Sequence, residues 1–299
     1  MKRMNMVERL VELIRETSSS LPEDVLKAIR SAIRKETRGK SAAVVLKTIL
    51  DNCALAKRGS TPLCQDTGTL AFYVDESLKR KVTPAVIKKA VAIATERGYL
   101  RKNCIDSVTG RSYDDNCCDG APVVHYVHEM KNVKCKVKNC GTVTLLLKGG
   151  GSENMSRQYS LPDASLGAGR DLEGVRKCIL DAVVKAQGFG CAPGILGVCI
   201  GGDRATAYEV AKEQLLRPLD ANDQESGIRD QGSGSGEQLR KLEKRILKEA
   251  NELGIGPMGL GGRTTLLGVK IASRPRVPAS FFVTVAYMCW ACRRRTISL

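Results

Sequence analysis

Aromatic side chains are scarce in this sequence: one Trp, four Phe and seven Tyr make up 4% of 299 residues. That leaves few stacking platforms for single-stranded nucleic acid, although Lys+Arg 48 against Asp+Glu 32 gives a net charge of +16. The basic excess is spread along the chain, with short runs at Lys131–Lys138 and Arg293–Arg295. It reads as a solvated basic surface, with attraction of small dicarboxylates as a secondary role and no nucleic-acid partner. No run of about 18 apolar residues appears, which argues against a membrane-spanning helix. The opening MKRMNMVERLVELIRE mixes acids into an amphipathic pattern and so lacks the uninterrupted apolar stretch of a signal peptide. Histidine is limited to His125 and His128; three apart on an expected strand, they face opposite sides and do not suit joint metal binding.

Two glycine motifs lack what would make them nucleotide sites. Lys148-Gly-Gly-Gly-Ser-Glu-Asn154 has no closing Gly-Lys-Ser/Thr, so it is not a P-loop. Gly254-Ile-Gly-Pro-Met-Gly259 satisfies G-x-G-x-x-G by count, but follows an expected helix and precedes an expected strand. That order is the reverse of the dinucleotide fingerprint, and close backbone packing is its expected role. No internal repeat is visible.

Cysteine is plentiful. Twelve thiols without a secretion signal point to a reducing, cytoplasmic setting, and their spacing is not that of a small disulfide scaffold. Cys53, Cys104, Cys117, Cys118, Cys135, Cys140, Cys178, Cys199 and Cys292 are expected mostly to pack as small apolar side chains. Three others sit in distinctive settings: Cys64 in PLCQDTG, Cys191 in GCAPG and Cys289 in YMCWAC. Each lies beside glycine, proline, a carboxylate or a second thiol, which suggests a site assembled from distant loops. Cys289-Trp-Ala-Cys292 also admits a redox pair or half a zinc site. A redox pair is expected to open a helix after a strand, and a zinc site needs two further ligands.

Periodicity predicts helices over 3–17, 21–37, 41–58, 84–99, 171–187, 204–216 and 237–253. Strands are expected at 70–74, 122–129, 133–137, 142–147, 195–200, 264–271 and 279–287. Residues 101–120 read as irregular, and 219–236 as a loop. The expected class is α/β (mixed α+β), without clean βαβ alternation. Residues 1–60 form an expected N-terminal helical segment, and 61–299 a single catalytic region.

The three cysteine settings, KGGGSEN and GIGPMGLGGRTTLLGV together resemble the iron–sulfur hydro-lyases: class I fumarases and the α subunit of L-tartrate dehydratase. The match runs from about Cys53 to the C-terminus, in the family's order. The resemblance implies a [4Fe–4S] cluster ligated by Cys64, Cys191 and Cys289, with one iron open to act as a Lewis acid. It also implies substrate contacts from Gln65, Asp66, Arg111, Lys148, Gly149 and Gly150, with Asp66 as the catalytic carboxylate. Fumarate hydration to malate is the expected reaction, with L-tartrate or mesaconate as alternatives. The family's second region is implied to be a separate β subunit, in an α2β2 assembly. Three positions depart from the pattern: Ala192 in the second cysteine turn, Trp290 where many relatives have His, and Val277-Pro278 where many have another His. Histidine catalysis therefore does not carry over. The reading from a different class is a redox or iron–sulfur sensing protein built on CWAC.

Overall fold

The computed structural model describes residues 4–128, 141–220 and 235–299. The expected strand at 133–137 lies outside them, as do Cys135, Cys140 and most of the expected 219–236 loop. In chain order the helices begin with α1 (Met6–Ser19), α2 (Glu23–Lys35), α3 (Ser41–Gly59) and α4 (Pro84–Glu96). They continue as α5 (Gly150–Asn154), α6 (Leu172–Ala186), α7 (Arg204–Gln214) and α8 (Ser235–Glu252). The first strands are β1 (Thr69–Asp75), β2 (Cys104–Ile105), β3 (Ser112–Tyr113), β4 (Val123–Val127) and β5 (Thr142–Lys148). They are followed by β6 (Arg157–Ser160), β7 (Gly194–Gly201), β8 (Leu266–Arg274), β9 (Phe282–Met288) and β10 (Arg293–Ser298). The chain is thus a mixed α/β protein, as its alternating periodicities predict. Among the described residues no helix is long and apolar enough to cross a membrane.

The chain divides into two compact units. The first comprises Met1–Glu23, Ile49–Gly150 and Ala291–Leu299. Its sheet runs β10-β5-β1-β4, with β1 and β4 parallel and the other pairs antiparallel. Helix α1 starts in a capping box: Glu8 N donates to Asn5 Oδ1 at 3.0 Å, and Asn5 N to Glu8 Oε2 at 3.2 Å. Its Leu10, Leu13 and Ile14, at helical spacing, join Ile87 and Val91 of α4 against Phe72, Val74, Val143, Leu145 and Leu147. At its end, Thr17, Ser19 and Ser20 hydroxyls donate to carbonyls four residues back at 2.6–2.7 Å, an alternative to water at a closing helix turn.

The second unit comprises Asp24–Thr48 and Gly151–Trp290. Its sheet runs β6-β9-β7-β8, with β7 and β8 parallel and the rest antiparallel. Strand β7, GILGVCIG, is buried at every position, the continuous apolar run expected of a strand covered on both faces. Leu196, Val198 and Ile200 share a core with α6 (Val175, Ile179, Val183) and α8 (Leu242, Ile246). On the opposite face, a Cβ at Gly197 would overlap the Ala211 carbonyl oxygen of α7, so this glycine lets helix backbone lie directly on the strand.

The two units repeat one pairing pattern. In each, a leading strand (β1, and β7 after the edge strand β6) crosses through helix to a parallel neighbour (β4, β8). Each then returns antiparallel on the other side (β5, β9), where a further antiparallel strand (β10, β6) completes the sheet. In both, the start of the leading strand faces the end of the returning strand: Thr69 pairs with Lys148, and Ile195 with Met288. The loops before β1 and after β5 therefore meet at one sheet end, as do those before β7 and after β9. Those four loops carry Cys64, the Lys148 glycines, Cys191 and Cys289.

Candidate active site

In the first unit, the PLCQDTG loop leads into β1. Its entry is fixed by Leu63, whose N–H donates to Ser18 O at 2.9 Å and whose carbonyl accepts from Asn52 Nδ2 at 3.0 Å. Cys64 is half-buried; its sulfur receives the Asp66 N–H at 3.5 Å, and its thiol donates to Gln65 Oε1 at 3.6 Å. Gly68 has φ +77°, and a Cβ there would overlap the Lys148 carbonyl oxygen; only glycine lets the two loops approach this closely.

Asp66 is held from three sides. Asn103 Nδ2 donates to its Oδ1 at 3.1 Å. Arg293 Nη2 donates to its backbone carbonyl at 2.8 Å. Its Oδ2 lies 3.0 Å from where a Gly149 side chain would begin, so the glycine run brings bare backbone up to the carboxylate. Arg293, on β10, is only 1% exposed, and its Nε has no hydrogen-bond partner. Lys148, at the end of β5, is 2% exposed. Arg293 thus brings a buried cation onto the carboxylate loop, and Lys148, also buried, lies at the neighbouring loop.

A second layer of bonds sets Asn103. Buried Thr67 bonds both ways with residue 101: Arg101 N donates to Thr67 Oγ1 at 2.9 Å, and Thr67 Oγ1 donates to Arg101 O at 3.1 Å. Buried Asn116 accepts from Asn103 N at 3.0 Å and Cys104 N at 3.2 Å through Oδ1. Its Nδ2 donates to Arg101 O at 2.9 Å and Thr95 Oγ1 at 3.1 Å. The stretch read as irregular from sequence contains the β2–β3 hairpin and is pinned by this asparagine. Arg111 is exposed beside β3, and its backbone bonds to Asp106 and Thr109. Arg101 is the basic residue whose backbone is fastened to the Asp66 loop.

In the second unit, Cys191 is exposed at φ +52°, the left-handed region that a tight turn imposes on a non-glycine residue at some cost. The ring of Tyr287, 1% exposed on β9, fills the space over Gly190 and Gly194, where added side chains would overlap it. Burial, together with the charges of Cys289 and Cys191, pushes the Tyr287 phenol up from its ordinary range, so it stays neutral beside the thiols. Trp290 N donates to Cys191 O at 3.3 Å, which ties the Cys289 loop to the Cys191 loop. Met258 N donates to Ala192 O at 2.9 Å, and Gly188 packs on the Met258–Gly259 backbone. The GIGPMG segment is thus backbone packing under the Cys191 turn.

Each unit brings its own candidates together: Cys64, Gln65, Asp66, Lys148, Gly149 and Gly150 in the first, and Cys191 with Cys289 in the second. Among the described residues, no three His, Cys, Asp or Glu side chains converge as a metal-holding group. Taken one by one, the thiol settings are chemically able to ligate a soft metal group. They are an exposed thiol on a tight turn (Cys191), a half-buried thiol next to the neutral Tyr287 phenol (Cys289) and a half-buried thiol receiving a backbone N–H (Cys64). The CWAC segment links β9 to β10 with no helical turn, so it lacks the helix N-terminus that activates a redox C-x-x-C pair. Cys292 is buried, as are Cys53, Cys178 and Cys199. His125 stacks on Tyr73, its cross-strand partner, at 4.9 Å between ring centroids.

Sequence reasoning missed Asn103, Thr67, Arg293 and Tyr287. Arg293 was read as part of a solvated basic run, whereas Arg293 and Arg294 are both buried in β10. Burial follows from their place on a strand paired to the fully buried β5, where Arg293 donates to a backbone carbonyl.

Two sheets that present thiols and a carboxylate on strand-end loops define a mixed α/β protein. A family model described as Fumarate hydratase (Fumerase) matches residues 7–298, and the chain belongs to that family. A Geobacillus stearothermophilus protein, provisionally named fumarate hydratase class I, is 47% identical over 292 residues, covering 96% of this chain and 53% of its own length. A Methanocaldococcus jannaschii protein, provisionally named L(+)-tartrate dehydratase subunit alpha, is 31% identical over 297 residues, covering 97% of this chain and 96% of its own. The L(+)-tartrate dehydratase subunit alpha of Escherichia coli K12 is 28% identical over 298 residues, covering 97% and 91%. The chain therefore spans about half the length of the Geobacillus relative and nearly all of the two alpha subunits.

Proposed function

We propose that this chain is the cluster-bearing α-type component of a cytoplasmic hydro-lyase that adds water reversibly to fumarate, giving malate. The observation that carries the reading is the Asp66 loop, locked by Asn103 and Arg293 against the Lys148–Gly150 backbone. The 47% identity to a relative named for fumarate hydration supports the substrate. Residues 61–299 are taken as the catalytic portion, following the helical lead.

Cys64, Cys191 and Cys289 would hold a [4Fe–4S] cluster, which when bound supplies a Lewis-acidic iron. The chain's own groups do the rest. Lys148, the Gly149 and Gly150 backbone, Gln65 and a basic residue at Arg111 or Arg101 hold the dianionic substrate. Asp66, fixed by Asn103, holds or moves a proton at its carboxylate. Buried positive charge at Lys148 and Arg293 offsets the negative charge that grows on the substrate as the proton moves. Tyr287 keeps the Cys191 and Cys289 loops in shape.

A separate β subunit, in an α2β2 assembly, would complete the site, since the two relatives of matching length are named as alpha subunits. The same length match favours L-tartrate as the second candidate substrate, ahead of mesaconate. The test is an anaerobic assay of the chain with its β component on fumarate, L-tartrate and mesaconate. Fumarate is expected to give the highest kcat/KM. Preferential turnover of L-tartrate would reassign the substrate, and no hydration of any of the three would overturn the reading.

A further inference from the structure

Among the described residues outside the candidate site, the thiols of Cys104 and Cys118 meet. Cys104 opens β2 and Cys118 follows the β2–β3 hairpin; their sulfurs lie 3.4 Å apart and both are half-buried. We propose that Cys104 and Cys118 form a thiol–disulfide modification site that reacts with low-molecular-weight disulfides and closes to an intramolecular disulfide.

The backbone on each side is fixed, so the sulfurs meet by structure. Cys104 N donates to Asn116 Oδ1 at 3.2 Å. Cys118 N donates to Ala121 O at 3.0 Å, and its carbonyl accepts from Lys88 Nζ at 2.9 Å. Closing to the bond length of about 2.05 Å requires only about an ångström of motion shared by two side chains. The adjacent Cys117 is not the partner: its thiol lies 3.4 Å from both the Lys88 and the Asp115 carbonyl oxygens.

Burial and the neighbouring thiols push Cys104 up to about 11, so little of it is thiolate near neutral pH. The Cys118 thiolate attacks one sulfur of the small disulfide, breaks its S–S bond and expels one thiolate. Cys104 then loses its proton, and its sulfur attacks the Cys118 sulfur of the mixed disulfide. The second small thiolate leaves and takes up a proton. The protein dithiol is oxidised by two electrons, and the small disulfide is reduced to two thiols. The product bond sits one residue from Asn103, the donor to Asp66.

The test treats the reduced full chain with oxidised glutathione under native conditions, then alkylates and maps peptides by mass. The expected product joins the Cys104 and Cys118 peptides, is lighter by two hydrogen atoms, and reverts with dithiothreitol. Cys104→Ala should instead stop at a mixed disulfide on Cys118. Cys118→Ala should leave Cys104 open to alkylation after denaturation, with circular dichroism confirming the fold. A Cys117–Cys118 or Cys104–Cys117 link of equal yield would overturn the proposal, as would both thiols remaining unlinked in the folded wild-type chain. The readout is a mass, so it stands or fails apart from hydro-lyase activity.

Discussion

The role proposed for Asp66 requires its carboxylate to keep one orientation, and Asn103 supplies a side-chain bond to it. A hydrogen bond to a charged group is worth about 1.5–3 kcal/mol. Asn103→Ala is therefore expected to lower kcat/KM roughly ten- to a hundredfold, with little change in melting temperature. An unchanged rate would remove Asn103 from the site. Gly68→Ala meets both a left-handed φ and the Lys148 carbonyl. It should destabilise the chain by roughly 1–3 kcal/mol in denaturant melts. Thiols divide by burial: Cys53 and Cys199 are pushed up to about 11 and Cys178 to about 12 by desolvation. A thiol is protonated and inert below its pKa, so iodoacetamide near neutral pH should label exposed Cys191 well before these three. At this scale the PLCQDTG and KGGGSEN motifs were legible as candidates because Cys64, Asp66 and the glycines carry distinctive chemistry in sequence. Asn103, Thr67 and Arg293 were not, because each acts on a partner 34 to 227 residues away, a pairing that only the fold creates.

The long helices and inner strands were legible because their apolar spacing is set by the faces they bury; β7 falls within one residue of expectation and β9 within three. The elements that escaped, α5, β2, β3, β6 and β10, are short or polar. Strand β10 reads RRRTIS, yet it pairs with β5 from Thr142 to Leu147. Its arginines find acceptors in the fold: Arg295 Nη2 donates to Ser20 Oγ at 2.9 Å, and its Nη1 lies 3.2 Å from Glu16. A second arginine ties α8 to β8. Arg217, 3% exposed, lies 3.1 Å from Glu243 Oε1, which also accepts the Ile271 N–H at 2.6 Å. Removing one partner of a buried pair leaves an uncompensated charge. Glu243→Ala should thus cost about 3–5 kcal/mol, and Glu243→Gln less, since it keeps an acceptor for Ile271. Chemical denaturation of the two variants checks the order. Tyr287 offers a test of an element by its filling. Tyr287→Phe preserves the ring over Gly190 and Gly194 and should retain iron after anaerobic reconstitution. Tyr287→Leu should loosen the Cys191 turn and retain less.

Across the whole molecule, two units repeat one strand-pairing scheme without a visible sequence repeat. Both place their chemical loops before the leading strand and after the returning one. Such a repeat is invisible to residue matching because the pairing pattern depends on where apolar runs and turns fall, and many side chains satisfy it. The net charge of +16, read at first as solvated surface, is partly internal: Lys148, Arg217, Arg293 and Arg294 are all buried. Family membership rests on a match spanning residues 7–298, and the central claim drawn from it is that three thiols on these loops hold one cluster. Anaerobic iron and sulfide analysis of the reconstituted chain, beside Cys64→Ala, Cys191→Ala and Cys289→Ala, tests it most directly. The account predicts about four irons and four sulfides per chain, lost with any one of the three substitutions and kept in Cys292→Ala. A chain that builds no cluster, or keeps it in all three variants, would contradict the account.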